Sequence, residues 1–215
     1  MSLPEFNKVA RVDVTPQVRG LSGQITIPAT WTNNNTGDFF NFYLGLGSVE
    51  CGVSNAAGQP YLHWFVNNNY ANDAARSNGP YTAAFGPGTS HALQLYLDTS
   101  GYIHFVVDGT EVYKSTGVHS ATTGRFIIAA AQVINSSADY GGTWRVYHDA
   151  ASFTSMKYMD ASGNWQNVTS SNASGTKTHQ PNANTPGGPY PAPQAPVDYT
   201  ATFMLDSNKF YGALR

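Results

Sequence analysis

The chain has 215 residues, of which 41% are hydrophobic and only 11% charged, with a net charge of −2. An average soluble domain carries about 25% charged residues, so the polar surface here must come from Asn, Ser, Thr, Gly and Tyr, which suits neutral ligands such as sugars or peptide backbone. Lys and Arg never cluster, which excludes a nucleic-acid footprint, and no apolar run approaches the ~20 residues of a membrane-spanning helix.

Helix signals are nearly absent, and short β-branched and aromatic runs recur between Gly, Asn, Pro and Ser clusters, the signature of strands. Gln24–Ile27 reads as a strand ended by Pro28. Phe39–Leu46 is a longer strand, and Val49–Ser54 continues it past a bulge expected at Gly45–Ser48. Tyr61–Val66 follows a turn at Asn55–Gly58. The polar stretch from Asn67 to Gly88 is expected to be a long, lid-like loop. His91–Asp98 places Leu93, Leu95 and Leu97 on one face. It turns at Thr99-Ser100-Gly101 into Tyr102–Val107, and Asp108-Gly109 makes a tight hairpin into Glu111–Lys114. Arg125–Ile134, Thr143–Tyr147, Ala151–Met159 and Trp165–Val168 complete the regular series. Residues 170–198 turn Ser/Asn-rich and then Pro-rich. They are expected to form an extended strap leading to a last edge strand, Tyr199–Leu205. This rhythm predicts one all-β domain over residues 1–215, a two-sheet antiparallel jelly-roll sandwich.

The run from His91 to Gly109, His-Ala-Leu-Gln-Leu-Tyr-Leu-Asp-Thr-Ser-Gly-Tyr-Ile-His-Phe-Val-Val-Asp-Gly, resembles the central hairpins of the concanavalin A-like lectin and glucanase superfamily. That resemblance implies a fold shared by glycan-binding, glycan-cleaving and adhesive proteins. A second, layout-level resemblance is to the glutamic peptidases. Glu50-Cys51-Gly52-Val53, followed by His63-Trp64-Phe65, is similar to that family's strand ending in a catalytic Gln and the Trp-rich strand after it. Gln132, in Ile127-Ile-Ala-Ala-Ala-Gln132, falls near the family's catalytic Glu. The two residue types would then be exchanged.

Glu50 lies in an otherwise apolar run, where a carboxylate must be paired or protonated. It is a candidate general acid, with a structural, hydrogen-bonded Glu as the alternative. Gln132 is the one polar side chain between Phe126 and Ile134, and it is expected with Gly45, Gly47 and Ala130 around an open groove, or else under tight packing. Tyr61, His63 and Trp64, with Asn67, Asn69, Tyr70 and Asp73 of the following loop, are the candidate ligand-binding residues. An aromatic row with His suits sugar stacking, and consecutive amides can donate to and accept from hydroxyls. Core packing and an ordinary Asn-rich turn are the structural alternatives. Neither a metal site nor a cofactor is expected. Cys51 is the only cysteine, which precludes an intrachain disulfide or a cysteine zinc site; His91 and His104 lack a third ligand at a useful spacing.

Two functions follow from these residues. One is a secreted or cell-surface protein, a monomer, that binds a neutral carbohydrate or other cell-surface polymer across its concave sheet. The other is an acid hydrolase of peptide or glycan, in which Glu50 acts on a water and Gln132 stabilises an oxyanion. A structural or adhesive surface protein is a third reading. No partner among nucleic acids or membranes is expected, and no signal peptide is visible.

Overall fold

In the computed structural model the described residues are 5–133, 144–181 and 199–215. They form two antiparallel sheets that do not close into a barrel. The first has seven strands, in the order β14 (Ala173–Pro181), β1 (Glu5–Val18), β11 (Thr122–Val133), β4 (Phe39–Leu46), β5 (Val49–Ala56), β6 (His63–Asn68) and β7 (Ala75–Asn78). The second runs β10 (Thr110–Val118), β9 (Tyr102–Val107), β8 (Ser90–Leu97), β2 (Gly20–Thr26), β12 (Tyr147–Met159), β16 (Lys209–Leu214) and β15 (Thr200–Met204). Two short strands, β3 (Trp31–Thr32) and β13 (Trp165–Asn167), also pair with β12.

Period-two alternation sets which side of each strand faces the core. Phe40, Phe42, Leu44 and Leu46 of β4, Cys51 and Val53 of β5, and Phe126, Ile128 and Ala130 of β11 all point inward from the first sheet. They meet Leu93, Leu95, Ile103, Phe105 and Phe153 from the second. Each fully buried Leu, Ile or Phe contributes about 1.5–3 kcal/mol. A one-residue slip would turn a whole inward set to solvent, so the register is strongly specified.

Several expected features take another form. The bulge expected at Gly45–Ser48 is a hairpin turn: Leu46 pairs with Val49, and Gly47 takes a positive φ of 57° that favours glycine. The lid-like stretch after Asn67 contains strand β7, paired with β6. The strap expected from residue 170 opens with strand β14, which covers the outer edge of β1. Residues 182–198, the Pro-rich remainder, lie outside the described residues. Beyond them Tyr199 is buried and β15 pairs with β16, a final strand that the sequence pattern did not single out.

Candidate functional site

The outer face of the seven-stranded sheet is built from the opposite parity to the core. Cross-strand partners bring one row of residues into line across six strands: Asp13, Arg125, Gly45, Glu50, Asn67 and Arg76. The next row carries Arg11, Ile127, Tyr43, Gly52, Phe65 and Asn78. Over these rows lies an open groove of about 800 Å³, within the size range of ligand sites.

Glu50 stands at the middle of this groove. Its carboxylate accepts a hydrogen bond from Asn67 Nδ2 at 3.3 Å and another from the Tyr43 hydroxyl. Desolvation, and then the neighbouring Glu50 charge, push the Tyr43 phenol well above its usual pKa, so it remains a donor; Arg125 opposes the shift only in part. The Tyr43 ring packs edge-on against Phe65, with centroids 5.9 Å apart. Gly52, directly across from Tyr43, permits this close approach: a Cβ there would sit 2.1 Å from the Phe42 carbonyl oxygen and 2.5 Å from Tyr43 Cα. Gly45, by contrast, has room for a Cβ, which would meet Arg125 Cγ and Ile127 Cδ1 at an ordinary 3.7 Å. Two buried amide oxygens on this face, Asn41 Oδ1 and Asn67 Oδ1, have no hydrogen-bond partner among the described residues.

Gln132 does not join Glu50. It shares the parity of Phe126, Ile128 and Ala130, which is the core face, and is fully buried. Its Oε1 accepts the Arg145 backbone N–H at 3.0 Å, and its Nε2 finds no partner among the described residues. The expected groove floor of Ala130 and Gln132 is therefore replaced by Ile127 and Ala129, one residue out of phase. The carboxamide that meets Glu50 is Asn67.

The other expected binding residues are divided. His63 is buried, with Nδ1 against the Gly79 carbonyl at 3.2 Å and its ring on Tyr81; burial lowers its pKa, the carbonyl partly countering this. Trp64 packs against the core and is closed off by Gly79. Tyr61 is half-buried, and its carbonyl accepts from Asn55 Nδ2. These three do not form an exposed aromatic row, because β6 places Phe65 and Asn67, rather than Trp64, on the groove side.

Asp73 is not free to bind a ligand. It accepts hydrogen bonds from Asn68 Nδ2, Thr116 and His119. Burial raises its pKa, but hydrogen bonds from Thr116, His119 and Gly117 outweigh burial and hold it at about 2. Tyr70 packs at a tilt against His119 in the same knot, with ring centroids 4.4 Å apart. Asn69 is exposed beside the groove and accepts from Arg76 Nη2 at 2.7 Å. Among the described residues no group of three His, Cys, Asp or Glu is placed to hold a metal, and no helix is long and apolar enough to cross a membrane.

No family model matches this chain, and no curated protein sequence does. Solved structures do share its fold. Scytalido-glutamic peptidase, solved with a peptide-based transition state analog, superposes with a TM-score of 0.62 at 12% identity, covering 99% of this chain and 100% of its own. SCP-B, a member of the eqolisin family of peptidases solved with the tripeptide Ala-Ile-His, gives 0.61 at 11% identity over the same shares. A β-1,3-1,4-glucanase derived from a mouse hindgut metagenome aligns over 59% of this chain and 68% of its own, with a TM-score of 0.36 and 16% identity. The glutamic peptidases thus share this fold along nearly the whole chain.

Proposed function

We propose that the protein is an extracellular, monomeric polysaccharide-binding sandwich that holds an extended glycan in the groove centred on Glu50 and Asn67. The observation that carries this reading is the pair of unpartnered buried acceptors, Asn41 Oδ1 and Asn67 Oδ1. An unsatisfied buried polar atom costs about 1–3 kcal/mol, and a turn of either carboxamide towards the groove would let a sugar hydroxyl supply the missing donor. The groove lies mainly on a sheet face, across six strands, and only β7 at its rim carries a strand edge to which a peptide could add. Recognition there relies on side-chain amides, carboxylate and rings, the set that hydroxyl-rich ligands use. A panel of immobilised polysaccharides tests this reading. At least one should retain the protein, and Asn67→Ala should weaken that retention about tenfold with an unchanged melting temperature, a loss of about 1.4 kcal/mol. Retention by none of the panel would refute it.

One observation favours a second reading, an acid hydrolase: a carboxylate and an amide lie 3.3 Å apart in the groove, in Glu50 and Asn67. In that reading Glu50 takes a proton from a water as its oxygen bonds to the substrate carbonyl carbon. The Asn67 amide stabilises the oxyanion, and Glu50 returns the proton to the leaving group. Among the described residues the groove holds Glu50 at its centre and Glu5 on β1; no second carboxylate stands beside Glu50 and Asn67, whereas glycoside hydrolysis ordinarily needs a pair, so the substrate of this version is a peptide. Peptide cleavage between pH 2 and 7 by the native protein, absent in Glu50→Gln, would favour it; no cleavage by either leaves the binding function.

A further inference from the structure

Low overall charge suggests a neutral ligand, yet charge is unevenly placed on the groove face. Arg11 is neutralised by Asp13, whose Oδ2 accepts from its Nε at 2.8 Å. Arg125 and Arg76 are not neutralised in this way: among the described residues neither forms an ion pair. Arg125 donates through Nη2 to the Gly47 carbonyl at 3.3 Å. Arg76 donates to the Asn68 and Ala75 carbonyls and to Asn69 Oδ1. All of these acceptors are neutral oxygens, so neither guanidinium is paired directly with a carboxylate among the described residues, and each retains donor capacity.

Their placement is ordered. Arg125 and Glu50 are both partners of Gly45, on strands either side of it; Glu50 and Arg76 are both partners of Asn67 in the same way. With strands ~4.8 Å apart, each arginine's Cα stands about 10 Å from that of Glu50, one on either side. The row therefore presents a cation, an acceptor centre and a second cation.

Building on the proposed groove reading, we infer that the ligand is an anionic polysaccharide. The units on either side of Glu50 carry carboxylate or sulfate groups that meet Arg125 and Arg76. The unit over Glu50 carries hydroxyls, which donate to Glu50 and, after a turn of the carboxamide, to the unpartnered Oδ1 of Asn67. A planar guanidinium fork matches both anion types. The central carboxylate would repel an anion placed over it, which confines the charged units to the flanks.

The test is binding of the full chain to three glycan sets: neutral (dextran, laminarin, cello-oligosaccharides), uronate-bearing (polygalacturonate, alginate, hyaluronate) and sulfated (carrageenan, chondroitin sulfate). Polyglutamate serves as an anionic peptide control. The native protein should prefer a uronate or sulfate glycan over every neutral one, with affinity falling as salt rises from low to physiological levels and above. Arg125→Gln and Arg76→Gln should each weaken that binding about fivefold, in the range of partly exposed charge pairs. The corresponding Lys variants should keep the salt dependence. The uronate and sulfate arms identify which anion is read. Binding of neutral glycans with equal affinity, insensitive to either Gln variant, would overturn this inference and leave the groove reading standing. Tighter binding of polyglutamate than of any glycan would overturn it as well. Retention by no glycan at all would overturn both.

Discussion

At the scale of single residues, the groove depends on two glycines with opposite roles. Gly52 is required by proximity, since any side chain there would strike the Phe42 carbonyl and the Tyr43 backbone. Gly52→Ala should therefore cost about 1–3 kcal/mol, as overpacked sites do, and should also displace the Tyr43 hydroxyl from Glu50. Urea unfolding reads the first effect and ligand affinity the second; an alanine variant as stable as the native chain would show that the strands part freely. Glu50 was legible in the sequence because a carboxylate inside Leu44–Val53 has few structural uses. Its true partners were not. Tyr43 and Asn67 come from two other strands, and only the parity of each strand brings them to the same face as Glu50. The sequence carried a usable signal: Phe40, Phe42 and Leu44 mark the core side of β4, so Asn41, Tyr43 and Gly45 must face out. Applied to β11, the same rule puts Phe126, Ile128, Ala130 and Gln132 inside. A polar residue amid apolar ones reads as a site, but Gln132 caps the core by accepting a backbone N–H from Arg145.

At the scale of elements, the strands with strong alternation and clear turns were readable. Phe39–Leu46 and Tyr102–Val107 were placed at their observed bounds, and Asp108-Gly109 makes the expected tight turn with φ values of 49° and 80°. Strand β1 was missed because Lys8 interrupts its apolar face. That side chain is buried, with its ammonium 5.1 Å from the Trp144 ring centroid, a contact between segments far apart in sequence. Strand β14 was missed because Ser, Gly and Thr at an edge need little hydrophobicity. The chain after Ser170 is integral to both sheets, since β14 pairs with β1 and β16 with β12. Among the described residues, truncation there removes four large buried side chains, Tyr199, Leu205, Phe210 and Leu214, besides Ala173. At about 1.5–3 kcal/mol each, their loss approaches the 5–15 kcal/mol that holds a typical domain folded. The truncated chain should show no cooperative thermal transition by circular dichroism. Melting at the native temperature would show that the segment contributes nothing to stability.

At the scale of the whole molecule, one buried histidine ties the two sheets to the pH. His148, on β12, packs on Phe40 and Phe42 of the first sheet at 5.4 and 5.3 Å. Its Nδ1 donates to the Asp149 carbonyl and its Nε2 accepts from the Tyr199 hydroxyl. Burial lowers its pKa from 6.5 to about 4, with Asp149 partly opposing. The unfolded chain therefore binds this proton more readily than the folded one. Stability is complete above about pH 6.5, declines as the pH falls towards 4, and loses no more to this group below that, for a total of about 3 kcal/mol. His148→Gln keeps hydrogen-bonding capacity without titrating, so its unfolding free energy should change less between pH 7 and pH 4 than that of the native protein. An equal change in both would remove His148 as the cause.

The same whole-molecule view puts the groove on the outer face of one sheet, backed by the core. Gly45→Leu, which projects a larger side chain from this row beside Arg125, should obstruct the groove while leaving the fold intact, because its Cβ meets only ordinary contacts. The most direct measurement is amide chemical-shift mapping of isotope-labelled protein, native and Gly45→Leu, titrated in turn with oligogalacturonate, oligoalginate and cello-oligosaccharides. Saturable shifts confined to β4, β5, β6, β7 and β11 around Glu50 are expected with at least one of these ligands, together with their loss in Gly45→Leu. Shifts that gather instead around Tyr70–Asp73 and Gly117–Thr122, or that survive unchanged in Gly45→Leu, would contradict it.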